Sequence, residues 1–324
     1  MNVLITSASR KVALVRAFRR AVVATGDGGR VFAVDSSPLA AALYEADVAR
    51  LVPRSDEPAF LDTILELCTT ARIGLLVPTR DEELPVFAAA RDRFADAGVL
   101  VLVPEAATVA TCQDKLAFAD ACAAAGLSTP RVVADPTDRD LPLFIRPRTG
   151  KGGQGARGVR TESDLATALV ELGASTLAQE LIEAPEFTVD LFVDPRDETP
   201  ISCVPRERVV VVGGESTVGR TVRDDLLRDA TLRLAAALEL TGHVTVQAFR
   251  LGDEVLFIEV NPRYGGGASL GFAAGAETPE FALRIALGER IEPRLDDYET
   301  DLVMLRFADD RFVREADLIG AATR

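Results

Sequence analysis

Strands that alternate with helices restrict a chain more than any single motif does, and the first hundred residues read in this way. Short β-rich runs fall at 3–6, 31–35, 75–77 and 99–103. Helical periodicity fills the intervals, at about 11–24, 58–70 and 81–97. Parallel neighbours need a long crossover, usually a helix, so this spacing predicts a parallel, doubly wound α/β sheet. Ligands of such sheets sit beyond the carboxyl ends of the strands, which singles out Ser7, Ser9, Asp35 and Ser36. Ser7-Ala8-Ser9-Arg10 is no GxGxxG turn, and Asp35 equally reads as a cap for the turn after its strand.

Past Pro104 the pattern changes. A helix is expected through 112–125, with Asp114 capping its last stretch and Gly126 ending it. Strands are expected at 131–134 and 143–146. A glycine-rich loop follows, Thr149-Gly150-Lys151-Gly152-Gly153-Gln154-Gly155-Ala156-Arg157-Gly158. Thr161-Glu162-Ser163-Asp164 resembles a capping box opening a helix to about 172. Strands read at 177–182 and 187–193, and a long helix at roughly 224–240. At about 150 residues per domain, the length suits two domains or three subdomains. Pro104 closes the first of these units.

Charge and cysteine content exclude several classes. The 36 basic and 50 acidic residues leave a net charge of −14, which argues against nucleic acid as a partner. No apolar run approaches the roughly 18 residues of a membrane span, and the N-terminus carries no secretory core. The 4 cysteines form no CxxC pair and there is 1 histidine, so neither a zinc cluster nor a Ser–His–Asp triad is expected. Reduced thiols fit a cytoplasmic protein, and His243 reads as structural.

The most informative segment is the hairpin formed by 244–249 and 255–261, turned at Leu251-Gly252-Asp253-Glu254. Strand side chains alternate between faces. Val244, Val246 and Ala248 share one face with Leu256, Ile258 and Val260, which is the expected core. The opposite face carries Gln247, Glu259 and Asn261, with Phe249 and Phe257. Three oxygen donors, one of them charged, suit a hard cation whose remaining ligands are water and phosphate. Arg263, in Asn261-Pro262-Arg263, is placed to meet a transferred phosphoryl group. The plain alternative is a solvated hairpin face, though such a face more often shows Lys, Glu and Thr.

The glycine-rich loop can bring backbone N–H groups close to phosphate oxygens. It is not a Walker loop, because glycine flanks Lys151 on both sides. Lysine occurs only at Lys11, Lys115 and Lys151, and two of the three sit where phosphates would be handled.

In order, the chain shows Arg146-Pro147, Gly152-Gly153-x-Gly155, Gln179-Glu180-Leu181-Ile182, Glu186-Phe187-Thr188-Val189-Asp190, Gln247 and Glu259-Val260-Asn261-Pro262-Arg263. This series resembles the ATP-grasp superfamily, and within it a single synthetase unit of the carbamoyl phosphate synthase large subunit and its stand-alone relatives. The resemblance implies a parallel pre-ATP-grasp domain at 1–104 and a two-lobed α+β ATP-grasp domain, with lobe A and its lid at 105–182 and lobe B at 183–324. It implies ATP as cofactor, held by Lys115, Arg146, the lid glycines Gly152, Gly153 and Gly155, Gln179 or Glu180 with the backbone at Ile182 for adenine, and Glu186 for ribose. It assigns Gln247, Glu259 and Asn261 to Mg²⁺, two ions with Mn²⁺ able to substitute, and gives Arg263 and Arg146 catalytic roles.

The chemistry implied is ligation of a carboxylate to an amine or thiol through an acylphosphate, releasing ADP and phosphate. One alternative is phosphorylation of bicarbonate or carbamate, and another is a non-catalytic ATP-binding regulatory protein. A single unit, where the synthase has two and a glutaminase partner, argues against the complete carbamoyl phosphate reaction. Arg206, Arg208 and Arg220 are candidates for a substrate carboxylate, or equally for ion pairs with nearby acids. Small-molecule partners are expected, and a homodimer by analogy alone.

Overall fold

The computed structural model describes residues 1–138, 141–150 and 153–320. Five parallel strands come first: β1 (Asn2–Ile5), β2 (Val31–Asp35), β3 (Val48–Leu51), β4 (Ile73–Val77) and β5 (Leu100–Val101). They lie in the order β3-β2-β1-β4-β5. Helices α1 (Val12–Thr25), α2 (Phe60–Thr70), α3 (Leu84–Ala89) and α4 (Arg91–Asp96) make the crossovers. The α1 helix buries Leu14, Val15, Phe18, Ala21 and Val22, the spacing of one helical face, and ends at Gly26 with φ +68°. Strand order turns back on itself between β1 and β4. The crevice beyond their carboxyl ends, at 6–11 and 78–83, is therefore the switch point of this sheet.

Three expectations for this unit need correction. The helix at 81–97 is two helices, because Ala90 leaves helical backbone at φ −111° and ψ 9°. Of the strand at 99–103, only Leu100 and Val101 join the ladder. An unforeseen strand, β3, closes one edge of the sheet. Asp35 takes the plain reading. Its carboxylate accepts from the Ser9 and Ser37 N–H groups at 2.8 and 3.0 Å and so fixes two turns.

Helices α5 (Ala106–Gln113) and α6 (Lys115–Ala124) then meet at Asp114, where one helix was expected. The extended backbone of Asp114 ends the first helix. Its carboxylate caps the second by accepting from the Leu116 and Ala117 N–H groups at 3.0 and 3.2 Å. A small antiparallel sheet follows, from β6 (Val132–Val133), β7 (Leu143–Pro147), β8 (Arg157–Val159) and β9 (Thr176–Glu180), in the order β6-β9-β7-β8. Helix α7 (Glu162–Leu172), capped by Thr161, packs on it through Leu165 and Ala168.

The large antiparallel sheet comprises β10 (Glu186–Val193), β11 (Pro200–Val212), β12 (Glu215–Thr221), β13 (Gly242–Leu251), β14 (Glu254–Asn261) and β15 (Val303–Leu305). Their order is β14-β13-β10-β11-β12-β15. Helix α8 (Asp225–Ala237), capped by Asp224, buries Leu227, Ala230 and Leu234 against Val189, Leu191, Val244 and Val246. Helices α9 (Ser269–Ala273) and α10 (Thr278–Ala286) complete the regular structure. Phe272, Phe281 and Leu283 share a core with Val15 and Phe18 of α1, so the large sheet and the parallel unit are packed as one.

The β13–β14 hairpin departs from simple alternation. Gln247 pairs with Glu259, but Ala248 pairs with Phe257, leaving Ile258 as an extra residue. Such a bulge reverses the faces beyond it. Val255 and Phe257 therefore join Val260 in that core; Leu256 is buried as expected but on the opposite face, and Ile258 is only partly buried. Phe257, expected on the polar face, is buried.

Candidate functional site

One face of the large sheet is polar across four strands. Register places Glu186, Thr188 and Asp190 of β10 in line with Arg208 and Arg206 of β11 and with Gln247 and Thr245 of β13. Glu259 and Asn261 of β14 continue the same face. Gln247 and Glu259 are direct cross-strand partners, and Asn261 Nδ2 donates to Glu259 Oε1 at 3.1 Å. The three expected metal ligands are thus brought together. Among the described residues no three of His, Cys, Asp and Glu cluster to hold a metal unaided. One carboxylate with two amide oxygens fits a hard cation that takes its other ligands from phosphate and water.

Two cations approach this face from the preceding segments. Arg146 of β7 is buried, donates through Nη2 to the Ile258 carbonyl at 3.0 Å, and stands 3.9 Å from Glu259. Among the described residues its Nε is buried without a hydrogen-bond partner. Burial lowers its pKa, and Glu259 opposes that shift. Lys115, at the start of α6, donates from Nζ to the Gly150 carbonyl at 2.9 Å, which ties it to the root of the glycine loop. Burial lowers its pKa as well, with Glu259 raising and Arg146 lowering it. Two desolvated cations beside one carboxylate leave positive charge for an anion to neutralise.

Glu186 sits at the head of β10, 3.1 Å from Arg208. Burial raises its pKa, Arg208 opposes this, and Glu259 adds to it, so the two carboxylates sense each other. Of the adenine candidates, Gln179 is buried with its amide donating to the Pro130 carbonyl at 3.0 Å, which occupies it structurally. Glu180 accepts from the Arg131 N–H at 2.8 Å. Strand β9 ends there, and Leu181 and Ile182 continue outside any sheet. In the loop, Gly153 and Gly155 have φ of +66° and +73°, which glycine adopts without strain. Gly152 and Lys151 lie outside the described residues.

Arg263 is held by a residue that sequence reasoning missed. Its Nε and Nη2 donate to the two oxygens of Asp81 at 2.7 and 2.8 Å, and Nη2 also reaches Asn261 Oδ1 at 3.2 Å. The phosphoryl contact expected of Arg263 would have to share this guanidinium with Asp81. Only the fold brings Asp81 to it, from the switch-point crevice. Also missed were Lys11 and the buried Glu83 in the same crevice, which nothing but their place after β1 and β4 could have flagged.

All three arginines considered for a substrate carboxylate have partners already. Arg206 is buried and grips Asp190 through two hydrogen bonds of 2.7 and 2.9 Å. Arg208 serves Glu186 and the Gly214 carbonyl. Arg220 pairs with Glu207 at 2.6 Å. His243 is buried, stacked on Tyr264 at 4.0 Å and bonded to Thr278, the structural role expected of it.

A glycine loop and desolvated cations facing an acid-poor set of oxygen donors define a nucleotide-binding α/β protein. Comparison with known proteins makes this specific. Residues 3–102 match the family described as PylC-like, N-terminal domain, and residues 112–267 match that described as ATP-grasp domain. The chain carries an ATP-grasp domain behind a PylC-like N-terminal domain. The carbamoyl phosphate synthase large chain of Methanospirillum hungatei JF-1 is 32% identical over 226 residues, 61% of this chain and 21% of that protein. The chain spans about a fifth to a quarter of the length of such relatives. Biotin carboxylase from Campylobacter jejuni, in a β-γ-ATP complex, superposes with TM-score 0.73 and 17% identity over 93% of this chain and 74% of that one. L-amino acid ligase from Bacillus licheniformis gives 0.70 and 17% over 90% and 75%. At such identities the likeness is one of fold. Among the described residues no helix is long and apolar enough to cross a membrane.

Proposed function

We propose that this chain is an ATP- and Mg²⁺-dependent ligase that joins a carboxylate to an amine through an acylphosphate. One observation carries the reading: Gln247, Glu259 and Asn261 share one face of the large sheet, with Arg146 and Lys115 converging on it. The register and the burial of the two cations both support it.

A carboxylate does not react with an amine while its leaving group would be oxide. In the proposed reaction a carboxylate oxygen attacks the γ-phosphorus and ADP departs. The amine then attacks the acyl carbon and phosphate departs. Bound Mg²⁺, as two ions or with Mn²⁺ in its place, would neutralise phosphate charge. Glu259, Gln247 and Asn261 would hold it. Lys115 and Arg146 would take phosphate oxygens, and Arg263 would orient the transferred group. Gly153 and Gly155, with Gly152, would cover the phosphates and shield the acylphosphate from water. The backbone at Ile182, with Glu180, would read adenine, and Glu186 would take the ribose hydroxyls. Gln179, held by Pro130, supports that strand end instead. We place 1–104, 105–182 and 183–324 as the pre-ATP-grasp domain and the two lobes. A cytoplasmic setting and a homodimer complete the proposal.

The test is ADP release across a panel of carboxylates and amines, with hydroxylamine present to trap acylphosphate. Hydroxamate formed from one acid supports ligation. Carbamoyl phosphate from bicarbonate would favour the second reading, which rests on the synthase relatives. Tight ATP binding with no turnover would favour a regulatory protein.

A further inference from the structure

The switch-point crevice of the parallel sheet gathers charge that the proposed reaction leaves unused. Lys11 is half-buried just before α1, and Arg263 and Arg80 are near enough to repel it, while Glu83 and Asp81 attract it. Both carboxylates are committed elsewhere. Asp81 fills the fork of Arg263. Glu83 accepts from Ser7 Oγ and from the Thr79 and Arg80 N–H groups. Among the described residues the Arg80 side chain pairs with Glu82, at 3.3 Å.

Among the described residues, the Lys11 ammonium has no carboxylate at ion-pair distance, and burial with these like charges pulls its pKa down to about 8. Nor does the ammonium serve its helix. A cation at a helix N-terminus opposes the macrodipole, and α1 has no acidic residue in its first turn. A desolvated charge without a counter-charge is a standing cost that a bound anion removes. Arg263 links this crevice to the metal-binding face through Asn261. A molecule whose reacting carboxylate lies at that face would thus have a second positive centre, Lys11 with Arg80, in the adjoining crevice.

We propose that Lys11 and Arg80 hold a second anionic group of the carboxylate substrate. The acid activated here is then a dianion, a dicarboxylic or phosphorylated acid, and Lys11 determines that specificity without taking part in phosphoryl transfer. The proposal rests on the ligase reading, and its test separates the two.

The full chain, with MgADP, is measured for thermal stabilisation by butyrate, glutarate and 3-phosphoglycerate at matched ionic strength, as wild type, Lys11→Met and Lys11→Arg. ADP release with hydroxylamine is followed in parallel with MgATP. We expect glutarate or 3-phosphoglycerate, whichever second anion fits, to stabilise the wild type, and butyrate not to. Lys11→Met should abolish that response and raise KM for the dianion about tenfold or more, the loss of one charge-assisted contact, with KM for ATP unchanged. Lys11→Arg should restore part of it. No stabilisation of the wild type by either dianion, or an undiminished response in Lys11→Met, overturns the proposal. Absence of ADP release with every acid overturns the ligase reading instead, and the stabilisation measurement still decides Lys11.

Discussion

Asp81 and Arg263 lie 182 residues apart, and their side chains close a two-pronged ion pair with hydrogen bonds of 2.7 and 2.8 Å. Asp81 follows β4 of the parallel sheet, and Arg263 follows β14 of the large one. The pair therefore pins the Asn261-Pro262-Arg263 segment to the N-terminal unit, and with it the orientation of Asn261. Both side chains are largely shielded from solvent, so the bond is not a screened surface pair. Asp81→Asn is expected to cost roughly 1–3 kcal/mol in urea unfolding, as hydrogen bonds to charged groups do. It should lower kcat more than it raises KM for ATP, because it loosens a positioning contact and spares the nucleotide site. Unchanged kcat would remove the positioning role from Asp81.

Glu259 is the one carboxylate among the three expected metal ligands, and Arg146 stands 3.9 Å from it. Glu259→Gln keeps the shape and the cross-strand pairing with Gln247 but removes the charge. ADP release should fall by more than about 100-fold, since a metal ligand stabilises the transferring phosphoryl group by several kcal/mol. Binding of a fluorescent adenine nucleotide without metal should change little. A fully active Glu259→Gln enzyme would contradict the metal assignment.

Much of this face was legible because it obeys a period of two. Gln247, Glu259 and Asn261 alternate with apolar neighbours, and the structure keeps all three together. Ile258 is where that reading stops. A bulge is one residue of backbone geometry with no composition signal of its own, so the pattern put the buried Leu256 on the wrong face and misassigned Ile258 and Phe257, while Glu259 stays on the face expected for it. Strand β3 escaped notice because an edge strand needs little burial; Arg50 and Leu51 are exposed. The partners of Arg263 and Arg206 were illegible for another reason. Long-range ion pairs depend on which strands become neighbours, and local sequence carries no record of that.

The pH dependence of stability should report one buried group clearly. Burial alone would raise the Asp190 carboxyl, but Arg206 and His243 outweigh it and bring its pKa from 3.8 down to about 2. A carboxyl depressed in the folded state contributes stability that is complete above its ordinary value and is lost as pH falls through the folded one. Urea unfolding should accordingly weaken between about pH 4 and pH 2. Asp190→Asn should flatten that limb while costing roughly 3–5 kcal/mol at neutral pH, because it leaves a buried guanidinium unpaired. An unaltered acid limb in the variant would assign the dependence to other carboxylates.

The same guanidinium explains the glycines that follow Arg263. A Cβ on Gly267 would stand 2.6 Å from Arg206 Nη1, and one on Gly265 would stand 2.7 Å from Thr245 Oγ1. Neither neighbour can yield freely. Arg206 is fixed by its two bonds to Asp190, and Thr245 Oγ1 donates to the Arg263 carbonyl at 3.2 Å. A Cβ on Gly266 would meet nothing closer than Arg306 Nη1 at 3.7 Å, an ordinary contact. Gly267→Ala should therefore destabilise the chain by about 1–3 kcal/mol, the cost of overpacking, and Gly266→Ala by much less. Guanidinium chloride midpoints of the two variants give the comparison directly. Equal effects would mean that the loop shifts without disturbing Arg206, and would detach the packing of Gly267 from the buried Asp190–Arg206 pair.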